Sequence, residues 1–295
     1  MTYLILSAVE AVLLRVGGLS WFASLTHTCT TMATGGFSIY NDSFNGQTPY
    51  IQYVVIFFML VAGINFTLHG KLILSRENQY KGNRELLFFL GVIGIFTLLL
   101  FINTSLNNYG WGEYSLRHSL FIATSITTTT GYGTVDYETW SPFAHMLVFA
   151  LFFVGGMAGS TGGGIKVIRI LVILKYAMAE VRKLIHPHAI IPVKVGPRTI
   201  PDDVVRNTLG FLVFYLGLFL IVSLILSFFN MDMITAMSAS ASALGNIGPA
   251  FGSVGPYDNY AHLADGAKWL LSFAMLLGRL EIFTVMVLFS RSFWK

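Results

Sequence analysis

Eight consecutive residues near the middle of the chain, 127–134, have the types and spacing to coordinate an ion. They are four threonines followed by Gly-Tyr-Gly-Thr, and loops of this composition line potassium-selective filters, where backbone carbonyl oxygens replace the water shell of the ion. Gly131 fits this chemistry, because glycine adopts backbone angles that other residues resist and lets successive carbonyls point the same way. The alternative is a polar turn that ends the helix-length segment 114–126. We call 127–134 the middle loop.

Two similar loops occur elsewhere in the chain, each after a helix-length segment and between long apolar runs. They are residues 33–37, the first loop, and residues 246–250, the third loop. Aligning their glycines pairs Gly35, Gly131 and Gly248, which indicates an internal repeat. The candidate ion-coordinating groups are mostly the backbone carbonyls of Ala33, Thr34, Gly35, Gly36, Thr129, Thr130, Gly131, Tyr132, Asn246, Ile247, Gly248 and Pro249.

The composition is that of a membrane protein. The chain is 55% hydrophobic and 11% charged, with a mean hydropathy of +0.68, which is outside the range of soluble domains. Apolar runs of about 20 residues can cross a bilayer, and they occur at 50–73, 86–102, 143–174 with an interruption, 209–229 and 269–289, with a shorter one at 2–18. The single cysteine excludes an intramolecular disulfide, and no His, Cys, Asp or Glu set has the spacing of a transition-metal site.

The charge of +4 is distributed by position and does not indicate nucleic-acid binding. Lysines and arginines concentrate after the second, fourth and sixth apolar runs, whereas acidic residues dominate the other connections. Because Lys and Arg mark the cytoplasmic side, we predict that all three loops face outward and both termini lie in the cytoplasm.

The order of segments predicts an all-α membrane protein built from repeated units. Each unit is a span, a short helix that dips back, a filter loop and a returning span. Irregular backbone at membrane depth is tolerated only in protein or beside a watery cavity, so the loops should converge. The short helices would direct the negative ends of their dipoles at a cation. We assign units to residues 1–75, 76–178 and 209–295, with a cytoplasmic connection at 179–208 that is either a solvated linker or a docking surface and could contain a small hairpin.

The fourth apolar run contains six glycines within residues 155–164, which we call the glycine-rich segment. Each glycine costs about 1 kcal/mol relative to alanine in a helix, so an unwound segment beneath the filter, able to act as a gate, is favoured over close packing of small residues. The spacing of a phosphate-binding loop is present, but Ile165 occupies its lysine position. The candidate gate residues are Gly155, Gly156, Gly159, Ser160, Thr161, Gly162, Gly163, Gly164, Lys166 and Arg279.

Arg279 lies within the last apolar run. A charge at the bilayer centre costs about 2.5–3.5 kcal/mol, so its side chain should face a polar interior. It could be a structural residue bound to backbone carbonyls, or its charge could lie beside the ion path below the filter; both can hold. Glu281, two residues on, points elsewhere on a helix. Glu10 and Arg15 receive no assignment.

Taken together, these motifs resemble the Trk/Ktr/HKT superfamily of cation transporters, and most closely its bacterial TrkH family of potassium-uptake subunits. The matching segments are 27–40, 127–135, 155–169, 186–195, 245–252 and 278–283. The resemblance implies potassium transport in the bacterial inner membrane, filter loops in pseudo-fourfold array, and a pore narrowed by the glycine-rich segment and Arg279. It also implies a homodimer gated by a cytoplasmic nucleotide-binding subunit of the TrkA type, with K⁺ as the transported ion and no covalently bound cofactor.

The sequence departs from the family in one respect: the family has four units and this chain has three, its first matching the family's second. We therefore expect either a truncated protein or a remnant that needs another chain to complete the pore. A third alternative, an intramembrane hydrolase with Ser160 as nucleophile, is disfavoured. His118 and His145 lie near the outer ends of their segments, and no acidic residue is placed to orient them.

Overall fold

The computed structural model describes residues 1–75, 79–189, 191–280, 282–288 and 291–294. Its regular structure is almost wholly helical, which confirms the predicted class. The helices are α1 (Thr2–Val16), α2 (Trp21–Met32), α3 (Pro49–Gly63), α4 (Phe66–Leu74), α5 (Arg84–Thr104), α6 (Glu113–Thr127), α7 (Pro142–Leu151), α8 (Val167–Ile185), α9 (Asp202–Phe228), α10 (Met233–Gly245), α11 (Asp265–Arg279) and α12 (Ile282–Leu288). The strands β1 (Lys194–Val195) and β2 (Arg198–Thr199) form an antiparallel hairpin.

The same order of elements occurs three times within the described ranges. A first helix (α1, α5 or α9) is followed by a short helix (α2, α6 or α10), a loop, and a returning helix that is broken into two pieces. Each short helix packs against the first helix of its own group, and α6 also packs against α3 and α7. The short helices therefore lie inside the bundle and direct their C-terminal loops toward its centre.

Two helices are long and apolar enough to cross a bilayer unbroken: Arg84–Tyr109, which extends α5 by a π-helical turn, and Asp202–Phe228. A third candidate is the pair Pro49–Gly63 and Phe66–Ile73, which is bent by 101°. The apolar run predicted at 50–73 is therefore present as a candidate span, but as two helices and not one continuous helix. The bend is stabilised by Asn65, whose side chain accepts a hydrogen bond from the Thr67 amide at 2.8 Å and caps α4.

The last apolar run is also broken, which the sequence did not predict. Helix α11 ends at Arg279 and α12 begins at Ile282; Glu281 and Phe289 lie outside the described residues. The fourth run is irregular between the end of α7 and the start of α8, as the glycine composition predicted. In all three groups, a break in the returning helix occurs near the middle of the apolar run.

The short helices begin and pack in ways that their sequences explain. The side chains of Ser20 and Asp232 cap α2 and α10 by accepting hydrogen bonds from Ala23 and Thr235 amides, both at 3.1 Å, as Ser and Asp do at helix N-caps. Helix α10 consists largely of buried alanine and serine, and small side chains let helices in membranes approach closely.

The cytoplasmic connection assigned to 179–208 is partly helical. Helix α8 continues to Ile185 and α9 begins at Asp202, so the non-helical part of the connection lies between these two residues. The possible small hairpin is present as β1 and β2, with Gly196 at φ 62° in its two-residue turn. Glycine is typical of the first central position in such turns. Ile190 lies outside the described residues.

Candidate ion-coordination site

The three short helices end in the same backbone turn. The first residue of each turn, Thr34, Thr129 or Asn246, is left-handed, with φ of 52°, 58° and 56°. The next amide then bonds the carbonyl five residues back: Gly35 to Thr30 at 2.7 Å, Thr130 to Ser125 at 2.9 Å, and Ile247 to Ser242 at 2.9 Å. This is the hydrogen bond of a Schellman motif, which satisfies carbonyls at a helix end. The shared turn sets a common register for the three loops.

That register corrects the alignment of the glycines. The residue that follows the turn at the position of Gly131 and Gly248 is Gly36, not Gly35. Gly36, Gly131 and Gly248 all have positive φ, at 68°, 84° and 112°, whereas Gly35 does not. Gly35 and Gly36 cannot be distinguished by identity, and only the helix end decides between them.

The three loops lie side by side. A methyl group built on Gly36 would overlap the carbonyl oxygen of Thr130, and one built on Gly131 would overlap the carbonyl oxygen of Ile247. The first loop therefore contacts the middle loop, and the middle loop contacts the third. All three border one cavity of about 520 Å³, whose other wall includes Arg279 and further residues of α11.

Hydroxyl groups on two of the short helices donate hydrogen bonds to backbone carbonyls of the loops that follow them. The Ser125 hydroxyl donates to the Tyr132 carbonyl at 2.7 Å, and the Ser242 hydroxyl donates to the Pro249 carbonyl at 2.8 Å. Thr30 occupies the equivalent sequence position in the first group, but its hydroxyl lies 2.6 Å from the Tyr132 hydroxyl and not against a carbonyl of the first loop. These residues are not among those predicted from the sequence, although a Ser or Thr occurs six positions before each of Gly36, Gly131 and Gly248.

The side chain of Tyr132 points into the protein. It is 1% exposed, and its hydroxyl lies 2.6 Å from the Thr30 hydroxyl and 3.2 Å from that of Thr31. Its ring meets the Phe44 ring edge-on, with centroids 4.7 Å apart. Tyr132 therefore joins the middle loop to α2 through its side chain and presents only its backbone to the neighbouring loop residues.

The glycine-rich segment lies against the C-terminal ends of all three short helices. The Thr34 hydroxyl donates to the Thr161 carbonyl at 2.9 Å, and the Gly163 amide donates to the Thr129 hydroxyl at 2.6 Å. A methyl group on Gly163 would overlap the Gly245 carbonyl oxygen. The segment and the loops are thus in direct contact, and at Gly163 the contact leaves no room for a side chain.

Backbone groups of the glycine-rich segment find partners despite the absence of a helix. The Met157 amide donates to the Gly63 carbonyl at 2.9 Å, which also satisfies the break between α3 and α4. The Ala158 amide donates to the Glu85 carboxylate at 2.8 Å, and the Lys166 ammonium donates to the Gly162 carbonyl. Such pairing is what permits irregular backbone at membrane depth.

Arg279 borders two cavities. One is the cavity between the loops, and the other, of about 320 Å³, is lined by the glycine-rich segment, Lys166, Arg169 and Phe211. Arg279 is exposed and makes no hydrogen bond or ion pair with the residues that the structure describes. The structure therefore gives no support for a carbonyl-bound structural arginine, and it places the charge where the two cavities meet.

The geometry does not support the hydrolase alternative. The Ser160 hydroxyl donates to the Met157 carbonyl at 2.6 Å. His118 lies 2.7 Å from the Thr134 hydroxyl, and His145 lies 3.1 Å from the Glu138 carbonyl. Neither histidine contacts Ser160, so the base that a serine nucleophile needs is missing among these residues.

Outside the spans, Glu138 joins the residues that follow the middle and third loops. Its carboxylate accepts a hydrogen bond from the Gly252 amide at 2.5 Å. Burial raises the pKa of the Glu138 carboxyl, and the Gly252 amide partly opposes that rise. Glu138 therefore links the residues that follow the middle loop to those that follow the third loop, and the energetic cost of this link depends on pH.

The chain is a helical membrane protein in which three short helices direct their loops toward one cavity. A family model described as a cation transport protein, TrkH, matches residues 2–295. The chain belongs to this TrkH family, which is a family of transporters rather than enzymes.

Characterised relatives agree with this assignment. The chain is 38% identical to the Trk system potassium uptake protein TrkH of Halomonas elongata, over 99% of the chain and 61% of that protein. It is 35% identical to TrkG of Escherichia coli K12, over 100% of the chain and 61% of that protein. The crystal structure of the potassium transporter TrkH from Vibrio parahaemolyticus superposes with a TM-score of 0.93 at 34% identity, covering 99% of this chain and 63% of that one. The chain thus spans about three fifths of the length of these relatives.

Proposed function

We propose that this chain forms part of the wall of a potassium-conducting pore. The observation that carries the proposal is the contact between the three loops, in which Gly36 and Gly131 lie too close to the neighbouring carbonyls of Thr130 and Ile247 to bear a side chain. Such packing brings main-chain oxygens together around one cavity. Carbonyls of this kind replace the water shell of a potassium ion. The filter consists of the twelve residues predicted from the sequence, with Gly36 in the position first given to Gly35.

The glycine-rich segment and Arg279 form the gate of this pore. The segment contacts Thr34 and Thr129 directly, and Arg279 borders both the cavity between the loops and the cavity lined by the glycine-rich segment. A fixed positive charge there raises the free energy of a passing cation. Movement of the segment away from the loops, together with Arg279, would open the path.

The pore works in the bacterial inner membrane, with both termini in the cytoplasm. The separation of basic from acidic connections supports this orientation. The relatives named above belong to potassium uptake systems, and the family resemblance extends the proposal to a homodimer regulated by a cytoplasmic nucleotide-binding subunit of the TrkA type.

The filter is tested by Gly131→Ser, with Gly133→Ser as the matched control. A side chain at Gly131 meets the Ile247 carbonyl, whereas the nearest atom to one at Gly133 is 3.9 Å away. We expect Gly131→Ser to lower the permeability ratio of K⁺ over Na⁺ at least tenfold, and Gly133→Ser to leave it within about twofold. The measurement is Rb⁺ and Na⁺ flux by the protein purified as it is expressed from its own gene. Unchanged ratios in both variants would exclude these carbonyls from the ion path.

The gate is tested by Arg279→Ala, with Lys268→Ala as the control. Both side chains line the cavity between the loops, but Lys268 lies on the first turn of α11 and pairs with Asp265 at 3.3 Å. Removing the Arg279 charge should raise the maximal uptake rate, because the barrier to the cation falls. An unchanged rate in Arg279→Ala, or an equal rise in Lys268→Ala, would remove Arg279 from the gate.

A further inference from the structure

A second cavity, away from the loops, is surrounded by cations. It has a volume of about 710 Å³ and lies between the start of α5, the middle of α8 and the β1–β2 hairpin. Arg84, Lys175 and Lys194 line it, and no acidic residue is among the described residues that line it. None of the three cations forms an ion pair with the part of the chain that the structure describes. Three uncompensated positive charges around one cavity favour an anionic ligand.

The cavity is also amphiphilic. On α5, Leu87 and Phe88 lie one turn beyond Arg84 toward the interior of the span, and on α8, Leu171 lies one turn from Lys175 toward the start of that helix. Both helices therefore present a cation at one level and apolar side chains one turn deeper. Leu87 is 55% exposed and Leu171 is 8% exposed, so the apolar level opens to the protein surface on the side of α5.

The depth of the cavity places it at the edge of the bilayer. Helix α8 starts beside the glycine-rich segment, and Lys175 lies eight residues further on, about 12 Å along the axis at 1.5 Å per residue. The hydrocarbon core extends roughly 15 Å from its midplane. Arg84 stands at the first residue of α5, where that span meets the aqueous phase. With the glycine-rich segment, which interrupts the middle of its apolar run, taken as the bilayer midplane, the cations lie at headgroup level and the apolar wall at acyl-chain level.

We propose that this cavity binds an anionic phospholipid, with its phosphate between Arg84, Lys175 and Lys194 and an acyl chain against Leu87 and Leu171. Basic pockets between transmembrane helices bind acidic headgroups by the same charge complementarity. A soluble phosphate would use the cations alone, so the apolar residues one turn deeper favour a ligand that carries both an anionic headgroup and an acyl chain.

The experiment is native mass spectrometry of the protein expressed from its own gene, titrated with phosphatidylglycerol or phosphatidylcholine. The variant is the triple substitution Arg84→Gln, Lys175→Gln, Lys194→Gln. The matched control is Lys81→Gln, Arg198→Gln, Arg206→Gln, which removes the same charge from residues that do not line the cavity. We expect the first triple variant to lose about tenfold or more in phosphatidylglycerol affinity, and the control to change less than about twofold. Phosphatidylcholine should bind equally weakly to all three proteins.

Several results would overturn the assignment. An equal loss in both triple variants would mean diffuse attraction, and competition by inorganic phosphate at the same concentration as the lipid would mean a soluble-anion site. Loss of a copurifying cytoplasmic protein, with lipid binding unchanged, would make the cavity a docking surface. Because a triple variant could misfold, Lys175→Gln and Lys175→Arg provide a second comparison: the first should weaken phosphatidylglycerol binding and the second should retain it.

Discussion

The middle loop and the two flanking loops share one backbone turn but differ in how they are held. In the middle loop, Thr127–Thr130 are fully buried, and the loop contacts a neighbour on each side. In the flanking loops, Gly35 and Gly248 are exposed and border the open cavity. The helix ends therefore give all three loops the same local conformation, and only the middle one is constrained from both sides.

This difference shows that two sources of order act on the loops. The Schellman turn is local, because it depends on hydrogen bonds within six residues. The contacts at Gly36 and Gly131 are tertiary, because they depend on the position of another loop. Substitutions that disturb only the local turn should thus have smaller effects than substitutions that also disturb a contact between loops.

The largest contrast is expected between Gly131→Ala and Gly248→Ala. Both residues have positive φ, which costs a non-glycine residue about 1–3 kcal/mol. The Gly131 methyl group would in addition overlap the Ile247 carbonyl, whereas one at Gly248 meets nothing within 4 Å. We expect Gly131→Ala to abolish uptake and Gly248→Ala to reduce it only partly, measured as K⁺-limited growth of a strain without other uptake systems. Equal loss in the two variants would contradict the distinction between middle and flanking loops.

The register is tested by comparing Gly36→Ala with Gly35→Ala. Gly36 is left-handed and abuts the Thr130 carbonyl, whereas Gly35 is not left-handed and its nearest neighbour is the Phe37 ring at 3.5 Å. Gly36→Ala should lower the melting temperature and uptake by a clear margin, because strain and overlap add to more than about 1–3 kcal/mol. Gly35→Ala should behave nearly as the natural protein does. The reverse order would restore the alignment of Gly35 with Gly131.

A smaller effect is expected for Tyr132→Phe, with Tyr260→Phe as the control. Tyr132→Phe removes buried hydrogen bonds to Thr30 and Thr31, and a hydrogen bond of this kind contributes about 0.5–1.5 kcal/mol. The Tyr260 hydroxyl donates to the Gly248 carbonyl at 2.7 Å beside the open cavity, where water can replace it. Thermal unfolding in detergent should therefore show a larger drop for Tyr132→Phe; an equal or larger drop for Tyr260→Phe would argue against buried restraint of the middle loop.

The smallest effect concerns pH. Burial raises the pKa of Glu138 in the folded protein, so its ionisation opposes folding, and stability should rise as pH falls through that pKa toward the unfolded value. Glu138→Gln should flatten this dependence while keeping an oxygen to accept the Gly252 amide. Hydrogen bonds from Arg117 lower the pKa of Glu113, so Glu113→Gln is a control of opposite sign. The stability that ionised Glu113 contributes is lost as pH falls. Melting temperatures between pH 4 and pH 7 distinguish the two, and parallel curves for both variants would contradict these pKa directions.

Much of the fold could be predicted from hydrophobicity and glycine content. Apolar runs predicted the long helices α5 and α9, and the cluster of six glycines predicted the interruption between α7 and α8. The break at Ile64–Asn65 was not predicted, because one Asn within an apolar run barely lowers the mean hydropathy of that run. The carbonyls of Ala62 and Gly63, just before the break, accept hydrogen bonds from a segment nearly one hundred residues away, and that pairing cannot be read from the local sequence.

The residues of the candidate site were proposed from the sequence, but the way in which they are arranged could not be. Thr34 and Thr129 were proposed because their backbone carbonyls could coordinate an ion. The structure shows a further feature, which is that their hydroxyls form hydrogen bonds with the glycine-rich segment. Arg279 was placed within a helix, whereas it ends one. The Ser and Thr residues that support the loops were missed, since their role depends on where a helix ends.

The amino-acid sequence alone specified a helical membrane protein with three glycine-bearing loops, because burial of apolar side chains and the backbone freedom of glycine are properties of residue type. Only the tertiary structure decided which glycine occupies the left-handed position, which loop is enclosed, and what lies beneath the loops. Those features depend on contacts between segments far apart in the chain, where a carbonyl oxygen from one loop fills the space that a methyl group would need on another.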